Sequence, residues 1–140
     1  MKIAAAQISA QVGALDQNLN KHLHLIELAA EHQVELLLFP EMSLTGYTRA
    51  EGEKVDLGAS DPRVEALRQE AVSRQMTIIA GAPIKMADKL YIGAFILSPD
   101  GQTHIYTKQY LHDGEEQFYA ASFAHNPIPT IGKERMALAI

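Results

Sequence analysis

The sequence contains no cysteine. That excludes disulfides and thiolate metal sites from these residues, and agrees with an intracellular, cytoplasmic setting. Runs of lysine or arginine are also missing. The basic residues are scattered through a chain of net charge −5, which argues against a nucleic-acid partner. No apolar stretch approaches the ~20 residues that span a bilayer, so no membrane partner is expected. The first ten residues are apolar but have only Lys2 as a basic flank and no A-x-A site, so they are read as a strand rather than a signal peptide. No G-x-G-x-x-G, P-loop or G-x-S-x-G is present, which disfavours a phosphate- or nucleotide-binding domain and a serine hydrolase. Internal repeats, low-complexity tracts and linkers are absent too. What remains is ordinary for a globular protein: 140 residues, 47% hydrophobic and 21% charged.

Pattern then assigns the segments. Lys2 to Ser9 is a small-apolar run, expected as a strand covered on both faces. Asp16 follows a turn and serves as a plausible N-cap for a helix whose Leu19, Leu23, Ile26 and Ala30 share one face. Val34 to Phe39 predicts a second buried strand, ended by Pro40. A long polar segment, Glu41 to Ser60, is broken by Gly46, Gly52 and Gly58, and a loop of that length in a small domain is often functional. Asp61-Pro62 starts a second helix, with Val64, Leu67, Ala71 and Val72 as its apolar face. Strands follow at Met76–Pro83, Leu90–Leu97 and Thr103–Tyr110, the last two joined by the turn Ser98-Pro99-Asp100-Gly101. The order β-α-β-α-β plus a hairpin predicts an α/β protein with a mixed sheet and helices on one or both faces. Met136 to Ile140 begins another apolar run, expected as a further buried strand that is cut short.

Three places carry chemistry. Glu41 lies just past the second strand, at the rim of the sheet where α/β proteins place ligands. Partial burial there would lift its pKa towards the range of a general base; the plain alternative is a carboxylate that caps or solvates a loop. Lys108 lies near the end of a strand and can aim its ammonium into a cleft to stabilise an oxyanion, or it is an edge-strand lysine reaching for water. Glu115 and Glu116 stand in an acidic turn with His112 and Asp113. A metal site there lacks a second histidine at ligand spacing, and a solvated turn is the simpler reading. The remaining histidines, His22, His24, His32, His104 and His125, are dispersed and expected on exposed faces for the most part.

Taken together, Lys2-Ile3-Ala4-Ala5-Ala6-Gln7, Phe39-Pro40-Glu41 with Leu44-Thr45-Gly46-Tyr47, and Tyr106-Thr107-Lys108 leading to Gly114-Glu115-Glu116 resemble the nitrilase superfamily of carbon–nitrogen hydrolases. The resemblance runs through the chain and identifies residues 1–140 as the N-terminal portion of one such domain. It implies an α-β-β-α sandwich, incomplete at its C-terminus, that forms a homodimer or higher homo-oligomer through its outer helices. It also implies a Glu-Lys-Cys catalytic set acting on a small amide or nitrile without metal or organic cofactor. By that match Glu41 is the base, Lys108 the lysine, Glu115 a further acidic positioning residue (Glu116 the lesser match), and Tyr47 a residue lining the substrate pocket. Tyr110 departs from the histidine that many members carry there. The nucleophile is the larger departure: by the match, a cysteine is expected immediately after Ile140. The rival reading is a non-catalytic scaffold or binding module that lacks the nucleophile.

Overall fold

The computed structural model describes all residues from Met1 to Ile140. Five strands form one mixed sheet in sequential order: β1 (Ile3–Ala5), β2 (Leu36–Leu38), β3 (Thr77–Met86), β4 (Lys89–Leu97) and β5 (Thr103–Thr107). β1, β2 and β3 run parallel, whereas β3–β4 and β4–β5 are antiparallel. The parallel connections need crossovers. Helices α1 (Leu15–Glu31) and α2 (Pro62–Arg74) fill them.

Alternation of side chains sorts the two faces of the sheet. Leu37, Ile78, Ala80, Ala82, Phe95 and Leu97 join Ile26 and Ala29 of α1 and Val64, Leu67 and Ala71 of α2 in the main core. Both helices therefore cover the same face. The other face presents Leu36, Ile79, Ala94, Ile96 and Tyr106. It is covered by the hairpin β6 (Thr130–Ile131) and β7 (Glu134–Arg135) and by the segment that follows. In that segment Met136, Leu138 and Ile140 alternate onto the sheet. Residues 136–140 are expected as a buried strand, yet they join no ladder; only the Met136 N–H bonds back to the hairpin, at the Pro129 carbonyl. No helix is long and apolar enough to cross a membrane.

The α2 expectation is met in detail. The Asp61 carboxylate accepts the Arg63 backbone N–H at 2.8 Å, and Pro62 occupies the first turn, where its missing donor costs nothing. Other expectations need correction. Asp16 does not cap α1; Ala14 takes that position without a side-chain bond, and Asp16 pairs with Arg63 at 2.9 Å, tying α1 to α2. β1 is shorter than the apolar run and lies at a sheet edge, leaving Ile3 57% exposed rather than covered on both faces. β5 stops at Thr107, three residues before the expected end, because the chain turns back and Ser122 N–H donates to the Lys108 carbonyl. The segment after Glu41 is no open polar loop either. Met42 through Gly46 are all buried.

Candidate active site

The parallel relation of β2 to β3, followed by two antiparallel steps, brings the C-terminal ends of β2 and β5 to the same end of the sheet. Glu41 leaves one and Lys108 the other. Their side chains meet: Lys108 Nζ donates to Glu41 Oε2 at 3.0 Å although the residues are 67 apart in sequence. On its other side the ammonium reaches Glu115, 3.3 Å from Oε1 and 3.1 Å from Oε2. One cation thus bridges two carboxylates.

Glu115 is 1% exposed and opens a single 3-10 turn, Glu115–Gln117. Gly114 precedes it at φ +86°, a left-handed conformation that glycine adopts without steric cost. The Glu115 carboxylate also accepts the His112 backbone N–H at 2.9 Å and the Tyr47 hydroxyl at 2.9 Å. Burial works to raise its pKa, but the His112, Tyr47 and Lys108 donors outweigh it and hold the carboxyl below the usual glutamate value. Burial likewise opposes the charge on Lys108. Its hydrogen bonds to Glu41 and Glu115 outweigh that cost and raise its pKa above the ordinary lysine value. The ammonium is therefore a permanent feature of the site at neutral pH.

Tyr47 is 46% exposed and acts here through its hydroxyl, which takes a bond from Arg49 Nε at 3.2 Å while donating to Glu115. It is not among the residues of the adjoining cavity. That cavity, about 200 Å³, is lined mainly by apolar residues, among them Phe39, Ile79, Ala94, Ala139 and Ile140, with Glu41 as its carboxylate. A larger hollow of about 520 Å³ lies at the opposite end of the strands, beside Glu35, Thr77, Asp100 and His104. It is polar and open and brings none of the four candidate side chains together, so the smaller hollow is the one of interest.

The turn that presents Glu41 is held tightly. Met42 has φ +56°, unusual for a residue with a side chain, and backbone strain of this kind tends to collect at functional sites. Beneath it lies Gly81 of β3: a Cβ there would stand 2.6 Å from Met42 N and 2.8 Å from the Pro40 carbonyl oxygen. Only glycine lets the two backbones approach so closely. Gly46, at φ +76°, is pressed in the same way against Val12.

From the other side, α1 reaches the turn with two buried polar residues one helical turn apart. Asn18 accepts the Gln11 N–H and donates to the carbonyls of Gln11 and Leu44. His22, one of five histidines expected for the most part on exposed faces, is fully buried and lies between the Asn18 carbonyl oxygen at 2.8 Å and Ser43 Oγ at 3.0 Å. Hydrophobic periodicity gives no sign of Asn18, His22, Ser43 or Gly81, because their partners are distant in sequence. The placement of Gly81 opposite the Glu41 turn becomes visible only once β2 and β3 are paired.

With this geometry in view, comparison with known proteins gives a consistent result. Residues 2–133 match the family model described as carbon–nitrogen hydrolase. A nitrilase from Pyrococcus abyssi is 30% identical over 123 residues, covering 85% of this chain and 47% of that protein. The protein N-terminal amidase of Saccharomyces cerevisiae is 28% identical over 128 residues, covering 82% of this chain and 27% of that protein. The chain thus spans less than half the length of either relative. Among solved structures, an amidase from Nesterenkonia sp., seen with acrylamide added at its active-site cysteine, superposes with a TM-score of 0.87 at 23% identity. The overlap is 99% of this chain and 56% of that one. A CN-hydrolase superfamily protein from Xanthomonas campestris gives 0.86 at 21% identity, over 96% and 51%. At such identities these structures establish the fold.

Proposed function

The chain belongs to the carbon–nitrogen hydrolase family, and we propose that the whole protein hydrolyses a small amide through Glu41, Lys108 and a cysteine supplied from beyond Ile140. The observation that carries the reading is the ammonium of Lys108, held between Glu41 and Glu115 beside a cavity that Ala139 and Ile140 help to line. A nucleophile following Ile140 would enter that cavity next to Glu41.

The chemistry follows from the charges. Glu41 takes the proton of the thiol, and the thiolate attacks the amide carbon. Negative charge moves to the carbonyl oxygen, where Lys108 and a backbone N–H stabilise it. Glu41 then passes its proton to the departing ammonia, leaving a thioester. Water, deprotonated by Glu41, cleaves the thioester to the acid and returns the thiol. Glu115 does not touch substrate in this scheme. It fixes the position of Lys108, and Tyr47 holds Glu115 at the margin of the pocket. Butyramide is bound by a variant of the Nesterenkonia amidase, so aliphatic amides are the first substrates to try. The reading extends to assembly as a homodimer or higher homo-oligomer through the outer faces of α1 and α2, which sedimentation of the full-length protein measures.

The test is a screen of the full-length protein against short aliphatic amides, N-carbamoyl compounds and nitriles, read as ammonia release. Turnover of amides is expected, abolished by a thiol-alkylating reagent. A polypeptide of residues 1–140 alone, which holds no thiol, is expected to release none. A full-length protein that turns over none of the three classes would instead favour a binding scaffold.

A further inference from the structure

We infer that His22 is a positioning residue for Glu41, acting through Ser43 to fix the turn from which the carboxylate projects. The inference rests on the reading of Glu41 as the general base.

The proton inventory of this cluster closes in one way. The Asn18 carbonyl can only accept, so His22 Nδ1 carries the hydrogen across the 2.8 Å contact. A neutral imidazole then has a bare Nε2, so the Ser43 hydroxyl must donate to it across 3.0 Å. With its hydrogen committed, Ser43 Oγ offers a lone pair to the Gly81 backbone N–H at 3.3 Å. The hydroxyl therefore links α1 to β3, and its own residue lies two places after Glu41. No buried side-chain nitrogen or oxygen in the chain is left without a partner.

Other bonds make the turn rigid around this point. Ser43 N–H donates to the Pro40 carbonyl, Leu44 N–H to the Gly81 carbonyl, and Gly46 N–H to the Met42 carbonyl. Asn18 holds the Leu44 carbonyl. Phe39, just before the turn, stacks on the imidazole with ring centroids 4.1 Å apart. His22 thus touches the chain on both sides of Glu41 without reaching the carboxylate itself. A cavity-filling role would require only the ring's shape. Positioning requires specifically the acceptor at Nε2.

Two substitutions separate these roles. His22→Gln sets an amide oxygen near the place of Nε2 and keeps an acceptor for Ser43, while losing the bond to Asn18. His22→Asn keeps a donor for the Asn18 carbonyl and loses Ser43. In full-length protein turning over butyramide, His22→Asn is expected to lower kcat about 10-fold or more with KM little changed, whereas His22→Gln stays within about threefold, because misplacing a catalytic group by even 1 Å costs up to ~100-fold. Melting temperatures of the two are expected to fall alike. Ser43→Ala and Ser43→Thr provide the same contrast from the other partner should either histidine variant fail to fold, the threonine retaining the hydroxyl and the activity. If the Asn and Gln variants lose activity equally and in step with their melting temperatures, positioning is overturned and His22 is packing alone. Retention of activity in Glu41→Gln is the separate result that overturns the reading of Glu41, and this inference with it.

Discussion

A single ammonium facing two carboxylates sets the electrostatics of the site. Lys108 is one-tenth exposed at its side chain and Glu115 almost wholly buried, so neither charge has water to fall back on. Each is stabilised by the other, and removal of one partner from such a pair typically costs ~3–5 kcal/mol. His22 is the opposite kind of group, buried and neutral. Burial lowers its pKa from 6.5 to about 4, only partly opposed by its bond to the Asn18 carbonyl. The unfolded chain therefore binds a proton that the folded chain refuses. Stability from this residue is complete above pH 6.5 and is lost as pH falls from there to about 4. At ~1.4 kcal/mol per pKa unit the loss amounts to about 3 kcal/mol. Urea denaturation across that window should show the parent losing about this much more than His22→Gln, which has nothing to titrate at that position. Equal pH slopes in the two proteins would mean that the imidazole is not buried and neutral.

The turns and helix ends differ in what they contribute. Asp61 caps α2, and Asp61→Ala is expected to cost ~1 kcal/mol of stability while leaving catalysis unchanged. Gly81→Ala is expected to do the reverse of a local effect. Its new methyl meets backbone atoms of Met42 and Pro40 that no side-chain rotation can move, so the Glu41 turn itself must shift. A loss of activity well beyond the loss of stability, measured as kcat against melting temperature for both variants, is the expected contrast. The sequence announced the Asp61 cap because cap and proline are adjacent. It concealed the seat of Glu41 because that seat is assembled from α1, β3 and the turn, with contacts between residues 21 and 38 positions apart. Asp16 misled for the same reason. A capping residue type stood near a helix start, but a distant arginine decided where it points.

Across the whole molecule, the sheet places Glu41 and Lys108 at one end because both leave strands of the same direction. The mixed sheet was readable from the β-α-β rhythm and the hairpin, and the family motifs singled out the residues that the fold then brings together. The apolar run from Met136 to Ile140 was readable as well, but its destination was not: Met136, Leu138 and Ile140 rest on the second face of the sheet without a partner strand. That placement leads the chain to the cavity beside Glu41, which makes a common site for base, lysine and nucleophile the central claim. Its most direct test is a double-mutant cycle in the full-length protein on kcat/KM for an aliphatic amide, using Glu41→Gln, Lys108→Met and both together. Loss of a general base or of an oxyanion donor typically costs ~100-fold or more, and groups that act as a unit do not add. The account predicts that each single variant falls by about that much and that the double variant is hardly worse than the weaker single. Either single variant within about tenfold of the parent, or losses that simply multiply, would contradict it.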